Sequence, residues 1–174
     1  MIFLDSNIWC YYFDRRLPEH ECVKELVREI LKSSEIACNT IVVIEVAHYL
    51  VRHFSQKDAR KKIELFVNLN NLKVADFDRQ SMSEALEYLL ENAYPTGLGG
   101  RDASILASMK ILGTNEIVSH DDIFKRLSNK LKIKITDPVQ KHEPELRPQF
   151  IESLKASQKE KTVKANNFAA QNPK

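Results

Sequence analysis

Short apolar runs alternating with amphipathic helical stretches place this 174-residue chain in the α/β class. The expected architecture is three-layered, α/β/α, around a central, mainly parallel sheet of about five short strands. Three observations predict it. The opening run, residues 2–4, is continuously apolar and stops at a carboxylate, the pattern of a strand buried on both faces. Further apolar runs of that kind recur between stretches with helical periodicity, which implies right-handed βαβ crossovers. Only four glycines are present, too few for a glycine-dense β architecture or a flexible low-complexity chain.

The elements follow in order. After strand 2–4, Pro18 precedes a helix over 19–32, with Val23, Leu26, Val27, Ile30 and Leu31 at helical spacing. Residues 35–38 read as a second strand. Thr40 is a suitable N-cap for a helix over 41–54. A third amphipathic helix spans about 56–68, a strand 72–75, and a helix 79–92. Gly97, Gly99 and Gly100 mark a loop, and Gly113 caps the end of the helix over 102–112 that follows. The glycine loop lacks the GxxxxGK[ST] pattern and does not follow a strand, so it is no phosphate-cradling loop. A strand at 116–118, a short helix at 122–130 and a last strand at 133–135 complete the series.

Composition narrows the class further. Cys10, Cys22 and Cys38 are isolated, with no CxxC pair, so zinc-ribbon and thioredoxin-type motifs are excluded. An odd set without a framework suits a reducing cytoplasm. The start, Met-Ile-Phe-Leu-Asp, has no basic region ahead of an apolar one, and no apolar run approaches the length of a membrane helix. A cytoplasmic protein with no membrane partner is expected. The net charge of +2 is divided unevenly, with +3 in residues 140–174 and −1 in the rest. That C-terminal segment has three prolines, few aromatics and many Lys, Gln, Asn and Ala residues. It reads as a basic extension, partly helical or disordered, following a single domain over 1–139.

Four acids stand where chemistry is done. Asp5 ends the first strand, and parallel sheets place ligand sites beyond the carboxyl ends of their strands, although a turn or cap aspartate sits there equally well. Glu45 falls opposite the apolar stripe of its helix (Val43, Val46, Ala47, Leu50, Val51, Phe54), beside Ile41, His48 and Arg52. That face borders either solvent or a cleft. Asp102 opens its helix after the glycine loop, a position that also favours aspartate for capping reasons. Ser119, Asp121 and Asp122 again follow a strand. Carboxylates gathered at one sheet edge repel unless a cation neutralises them, and an all-oxygen set favours Mg²⁺ or Mn²⁺ over zinc. Such an ion supports hydrolysis of a phosphodiester.

Taken together, these segments resemble the PIN-domain ribonucleases, including the VapC-type toxins, over about residues 1–139. The matching elements are Asp5-Ser6-Asn7 with the apolar-aromatic stretch 8–13, Glu45 within 40–46, Arg101-Asp102-Ala103, and Ser119-His120-Asp121-Asp122-Ile123-Phe124, where serine replaces the usual threonine. The resemblance implies a PIN-like fold and Mg²⁺- or Mn²⁺-dependent endonucleolytic cleavage of RNA. Asp5, Glu45, Asp102 and Asp121 would hold the metal, Ser119 would keep a hydroxyl near the attacking water, and Asp122 would be a helper. It further implies a homodimer and, for the toxin type, a small antitoxin partner. A housekeeping RNA-processing nuclease and a non-catalytic RNA-binding or assembly module are the alternatives. Haloacid-dehalogenase phosphatases also begin with a strand ending in aspartate, but they need a second aspartate where this chain has Asn7.

Overall fold

The computed structural model describes residues 1–139; the extension read from the sequence over 140–174 lies outside the described residues. Five strands form one sheet: β1 (Ile2–Leu4), β2 (Ile36–Asn39), β3 (Leu72–Ala75), β4 (Glu116–Val118) and β5 (Lys134–Thr136). The order is β3-β2-β1-β4-β5 and every pairing is parallel. The chain therefore winds outward from β1 through β2 to β3, then returns to the other side of β1 for β4 and β5. The winding reverses between β1 and β4, and in open α/β sheets that crevice, at the carboxyl ends, is where ligands bind.

Seven helices among the described residues pack around this sheet: α1 (Ser6–Phe13), α2 (His20–Ser33), α3 (Thr40–His53), α4 (Gln56–Val67), α5 (Arg79–Thr96), α6 (Gly100–Leu112) and α7 (Asp122–Leu131). The core is built from Phe3, Leu4, Ile36, Ile117 and Val118 of the strands with Trp9, Val27, Phe66, Ile105 and Phe124 of the helices. Helix α6 is buried without a break from Ala103 to Met109, so it shows no amphipathic periodicity. It tolerates two serines there because each hydroxyl donates to its own helix, Ser104 Oγ to the Arg101 carbonyl (2.6 Å) and Ser108 Oγ to the Ser104 carbonyl (2.8 Å).

Four local expectations are corrected. The stretch after Asp5 is a helix, α1, which sequence periodicity missed because both sides of so short a segment meet protein: Ser6, Ile8 and Trp9 are all buried. Asn39, not Thr40, caps α3, its Oδ1 accepting from the Val42 amide at 2.9 Å, while Thr40 Oγ1 accepts from the Phe77 amide. On α3 the buried line is Val42, Val46 and Leu50, and Val51 is 62% exposed. That helix is apolar around most of its circumference, so several stripes fit the sequence and only packing chooses one. The glycine loop is also shorter than expected. Helix α5 continues through Pro95 to Thr96, Gly97 ends it with φ +77°, and Gly99 is the N-cap of α6. Gly113 closes α6 with φ +68°, as read from the sequence.

Candidate active site

Asp5 caps α1, its Oδ1 accepting from the Ser6 amide at 2.6 Å. Its other oxygen, Oδ2, accepts from Asn7 Nδ2 (2.8 Å) and from the Ser119 hydroxyl (2.7 Å). The side chain is completely buried, and that burial pushes its pKa above the usual carboxylate range, against the opposing pull of Ser119 and Arg101. Ser119 directly follows β4, the strand paired with β1, as Asp5 follows β1, so the register Leu4↔Val118 sets the two residues side by side. Its hydroxyl also accepts from the Asp121 amide (3.0 Å) and from Asn7 Nδ2 (3.3 Å). Asp121 caps α7 through its own Oδ1, which accepts from the Ile123 amide at 3.0 Å.

Glu45 and Asp102 arrive on α3 and α6. Both helices follow the sheet's carboxyl edge and are tied together by Asn39. While its oxygen caps α3, its amide donates to Ser108 Oγ (3.1 Å) and to the Ser104 carbonyl (3.2 Å) on α6. This fully buried residue fixes one acid-bearing helix relative to the other.

The four acids meet around Arg101. Its Nη2 lies 3.0 Å from Asp102 Oδ1 and 3.3 Å from Asp121 Oδ2, and its Nη1 lies 3.8 Å from Glu45 Oε1. Half-burial pulls the Arg101 pKa down, but the facing Asp5, Asp102 and Glu45 more than reverse this, so it stays a firm cation. As the side chains stand, among the described residues no three of them are close enough to grip one ion. The guanidinium separates them. Even so, the donor set fits a divalent metal. All candidate ligands are hard oxygens, and Glu45 Oε2 is buried with no hydrogen-bond partner. An acceptor left unsatisfied in the interior costs free energy that a cation there would return.

Asp122, the helper suggested by the motif, faces solvent with Lys125 Nζ at 2.8 Å. Asn7 and Asp137 join Asn39 as positioning residues outside the set that the sequence predicts. Besides its bonds to Asp5 and Ser119, Asn7 accepts from the His120 amide through Oδ1 (3.4 Å). Asp137 sits just beyond β5, buried against His120 Nδ1 (3.1 Å) and Lys125 Nζ (2.7 Å). The signal for Asn39 and Asp137 was their place at the carboxyl ends of strands, the edge where Asp5 and Ser119 were sought.

Between α1 and α3, beside the acids, opens a cleft of about 610 Å³ that includes Glu45, His48, Arg52 and Arg101. The polar face of α3 thus borders a cleft, not plain solvent. Cys10 also lines it, but burial pushes its thiol pKa up to about 12, so it is no nucleophile near neutral pH.

The PIN domain family model matches residues 2–130, most of the chain and all four acids. The chain belongs to the PIN domain family. Solved structures share the fold of this PIN domain. A Mycobacterium tuberculosis VapC20, described as a sarcin-ricin loop cleaving toxin, is 18% identical with a TM-score of 0.62, over 72% of this chain and 94% of that one. VapBC2 from Rickettsia felis, bound to a DNA fragment from its promoter, is 22% identical with a TM-score of 0.59, over 78% and 98%. FitAcB from Neisseria gonorrhoeae is 18% identical with a TM-score of 0.60, over 79% and 98%. No curated protein matches the sequence.

Proposed function

We propose that this PIN domain is a Mg²⁺- or Mn²⁺-dependent endoribonuclease, the toxin of a toxin–antitoxin pair, acting in the cytoplasm. One observation carries the reading: at the winding reversal of the sheet a single arginine holds Glu45, Asp102 and Asp121 from separate elements, with Asp5 buried beside them and one buried Glu45 oxygen unsatisfied. The likeness to toxin structures and to toxin–antitoxin complexes supports the toxin role and a small antitoxin partner. A stripe of exposed apolar side chains on α5 (Met82, Leu86, Leu90, Tyr94) supports a homodimer. Among the described residues no helix is long and apolar enough to cross a membrane.

Asp5, Glu45, Asp102 and Asp121 would hold the ion. When bound, it neutralises these acids, lowers the pKa of a water and stabilises charge on the phosphodiester. Ser119 and Asn7 orient Asp5: both donate to Oδ2, which fixes the carboxylate plane and keeps the buried group ready to ionise. Glu45 Oε2, lacking any donor, can accept a hydrogen bond from the attacking water. Arg101, released from the acids, can donate to a phosphate oxygen. The test is cleavage of a labelled RNA with Mn²⁺ or Mg²⁺ and with chelator. Wild type should cut only with metal, and Asp5→Asn and Asp102→Asn should each lose about 100-fold or more. Metal-dependent cleavage unchanged in both variants would sink the reading.

A further inference from the structure

We infer that the cleft between α1 and α3 is a subsite for one unstacked nucleotide of single-stranded RNA next to the scissile phosphate; this rests on the nuclease reading above. Its volume, about 610 Å³, lies within the range of true ligand clefts. Its α3 wall is a helical series. Glu45, His48, Tyr49, Arg52 and His53 lie at spacings of three, four, seven and eight residues, one face of one helix. One end of that face is therefore an acid of the cluster and the other a cation with two rings. A substrate phosphodiester over Glu45 necessarily sends its neighbouring residue along this wall.

The wall is built to take a base. The rings of Tyr49 and His53 are stacked with centroids 4.3 Å apart and an interplanar angle of 28°, which presents a π surface to the cleft. The pair is held from behind: Tyr49 Oη donates to Asp14 Oδ2 at 2.8 Å, and Asp14 is locked by a two-point pair with Arg16. Arg16 in turn donates to the His53 carbonyl (2.9 Å), so the same network anchors both ring-bearing residues. A platform fixed in advance loses little entropy on stacking. Arg101 is taken up by the acids, but Arg52, two turns along α3 from Glu45, gives the far end of the cleft a cation for a chain carrying phosphates. Bases paired in a duplex hide their faces, so only an unpaired nucleotide can use this wall.

The test uses the full-length protein and a fluorescein-labelled eight-nucleotide single-stranded RNA of mixed sequence, in chelator, read by anisotropy. Arg52 and His53 are exposed, so their variants keep the fold. Arg52→Ala and His53→Ala should each weaken binding by roughly 5-fold or more, the usual loss for a stacked base or a phosphate contact. His53→Phe should restore binding, because it keeps the ring, whereas Arg52→Gln should not. Duplex RNA of the same sequence should bind equally to all variants. With Mn²⁺ the alanine variants should raise KM more than they lower kcat. Single-stranded binding and KM unmoved by both alanine variants, while wild type still cleaves, would overturn the subsite and leave the nuclease reading standing. Binding that depends on these residues without any cleavage would support the subsite and defeat the nuclease reading. Arg52-dependent capture of a poly-glutamate peptide with no effect of His53→Ala on RNA would mark the cleft as a protein-docking site and also overturn it.

Discussion

Removing Arg101 should expose how the acid cluster survives without an ion. The guanidinium touches Asp102, Asp121 and Glu45 at 3.0, 3.3 and 3.8 Å, while Asp5 lies buried beside them. A single contact at 3.0 Å has a gross Coulomb value of about 5.5 kcal/mol at an effective dielectric of 20. Most of that is returned as lost hydration, and the Arg101 side chain is 38% exposed, so solvent screens it. A net loss of about 2 kcal/mol is expected for Arg101→Ala without metal, a drop in Tm of about 5–10 °C for a domain of this size. The sign with pH follows from Asp5. Its folded pKa is raised, so its contribution favours folding below pH 3.8 and is lost as pH rises through the folded value. The variant's deficit should therefore be largest at neutral pH and shrink as the acids protonate. Saturating Mn²⁺ should close the gap, because a divalent ion supplies the charge that the guanidinium supplied. Mn²⁺ should also bind the variant more tightly, by about tenfold if some 1.4 kcal/mol of displacement cost is removed. Thermal melts with and without Mn²⁺, and calorimetric Mn²⁺ titrations, measure both. Equal metal-free melting temperatures, or weaker Mn²⁺ binding by the variant, would refute the reasoning.

Asn39→Ala should cost about 3 kcal/mol in denaturant unfolding, because it removes the α3 cap, leaves the buried Ser108 hydroxyl without its donor and takes one of two side-chain donors from the Ser104 carbonyl; Asn39→Asp should keep the cap and recover only part. The His120–Asp137 pair should give a pH-dependent difference between wild type and His120→Gln. The hydrogen bond to Asp137 raises the His120 pKa, so its stabilisation is complete below pH 6.5 and lost as pH rises through the folded value; urea midpoints should differ more at pH 5.5 than at pH 8.5. Burial pushes Asp137 upward, but His120 and Lys125 outweigh it and hold it well below the usual carboxylate range, so below about pH 4 the same difference should shrink again. Removing the basic extension, residues 140–174 with net charge +3, should weaken RNA binding and flatten its salt dependence, read as the slope of log Kd against log salt. An unchanged slope would assign the extension another role.

The alternation of apolar runs and amphipathic stretches was enough to predict a parallel α/β sheet, and all five strands lie within one residue of where the sequence placed them. Short strands between caps and turns leave little freedom of register. Asp5, Asp102, Ser119 and Asp121 were legible as candidates because strand ends and helix starts are where a parallel sheet exposes chemistry, and Glu45 because it stands opposite the apolar stripe of its helix. Helix α1 was not legible: eight residues with protein on both sides carry no periodic signal. Nor was the rotation of α3, since a helix with apolar residues around most of its circumference leaves its buried line to its neighbours. The decisive choices were tertiary. Each candidate acid had an equally good local explanation as a cap or a solvated residue, because a single carboxylate satisfies itself within its own turn. Only the sheet order β3-β2-β1-β4-β5 sets the end of β1 beside the end of β4. The Asn39 bridge ties the start of α3 to α6, and in that arrangement Arg101 finds three carboxylates at once. Sequence determined which groups were available; the long-range packing decided that their charges must be settled together.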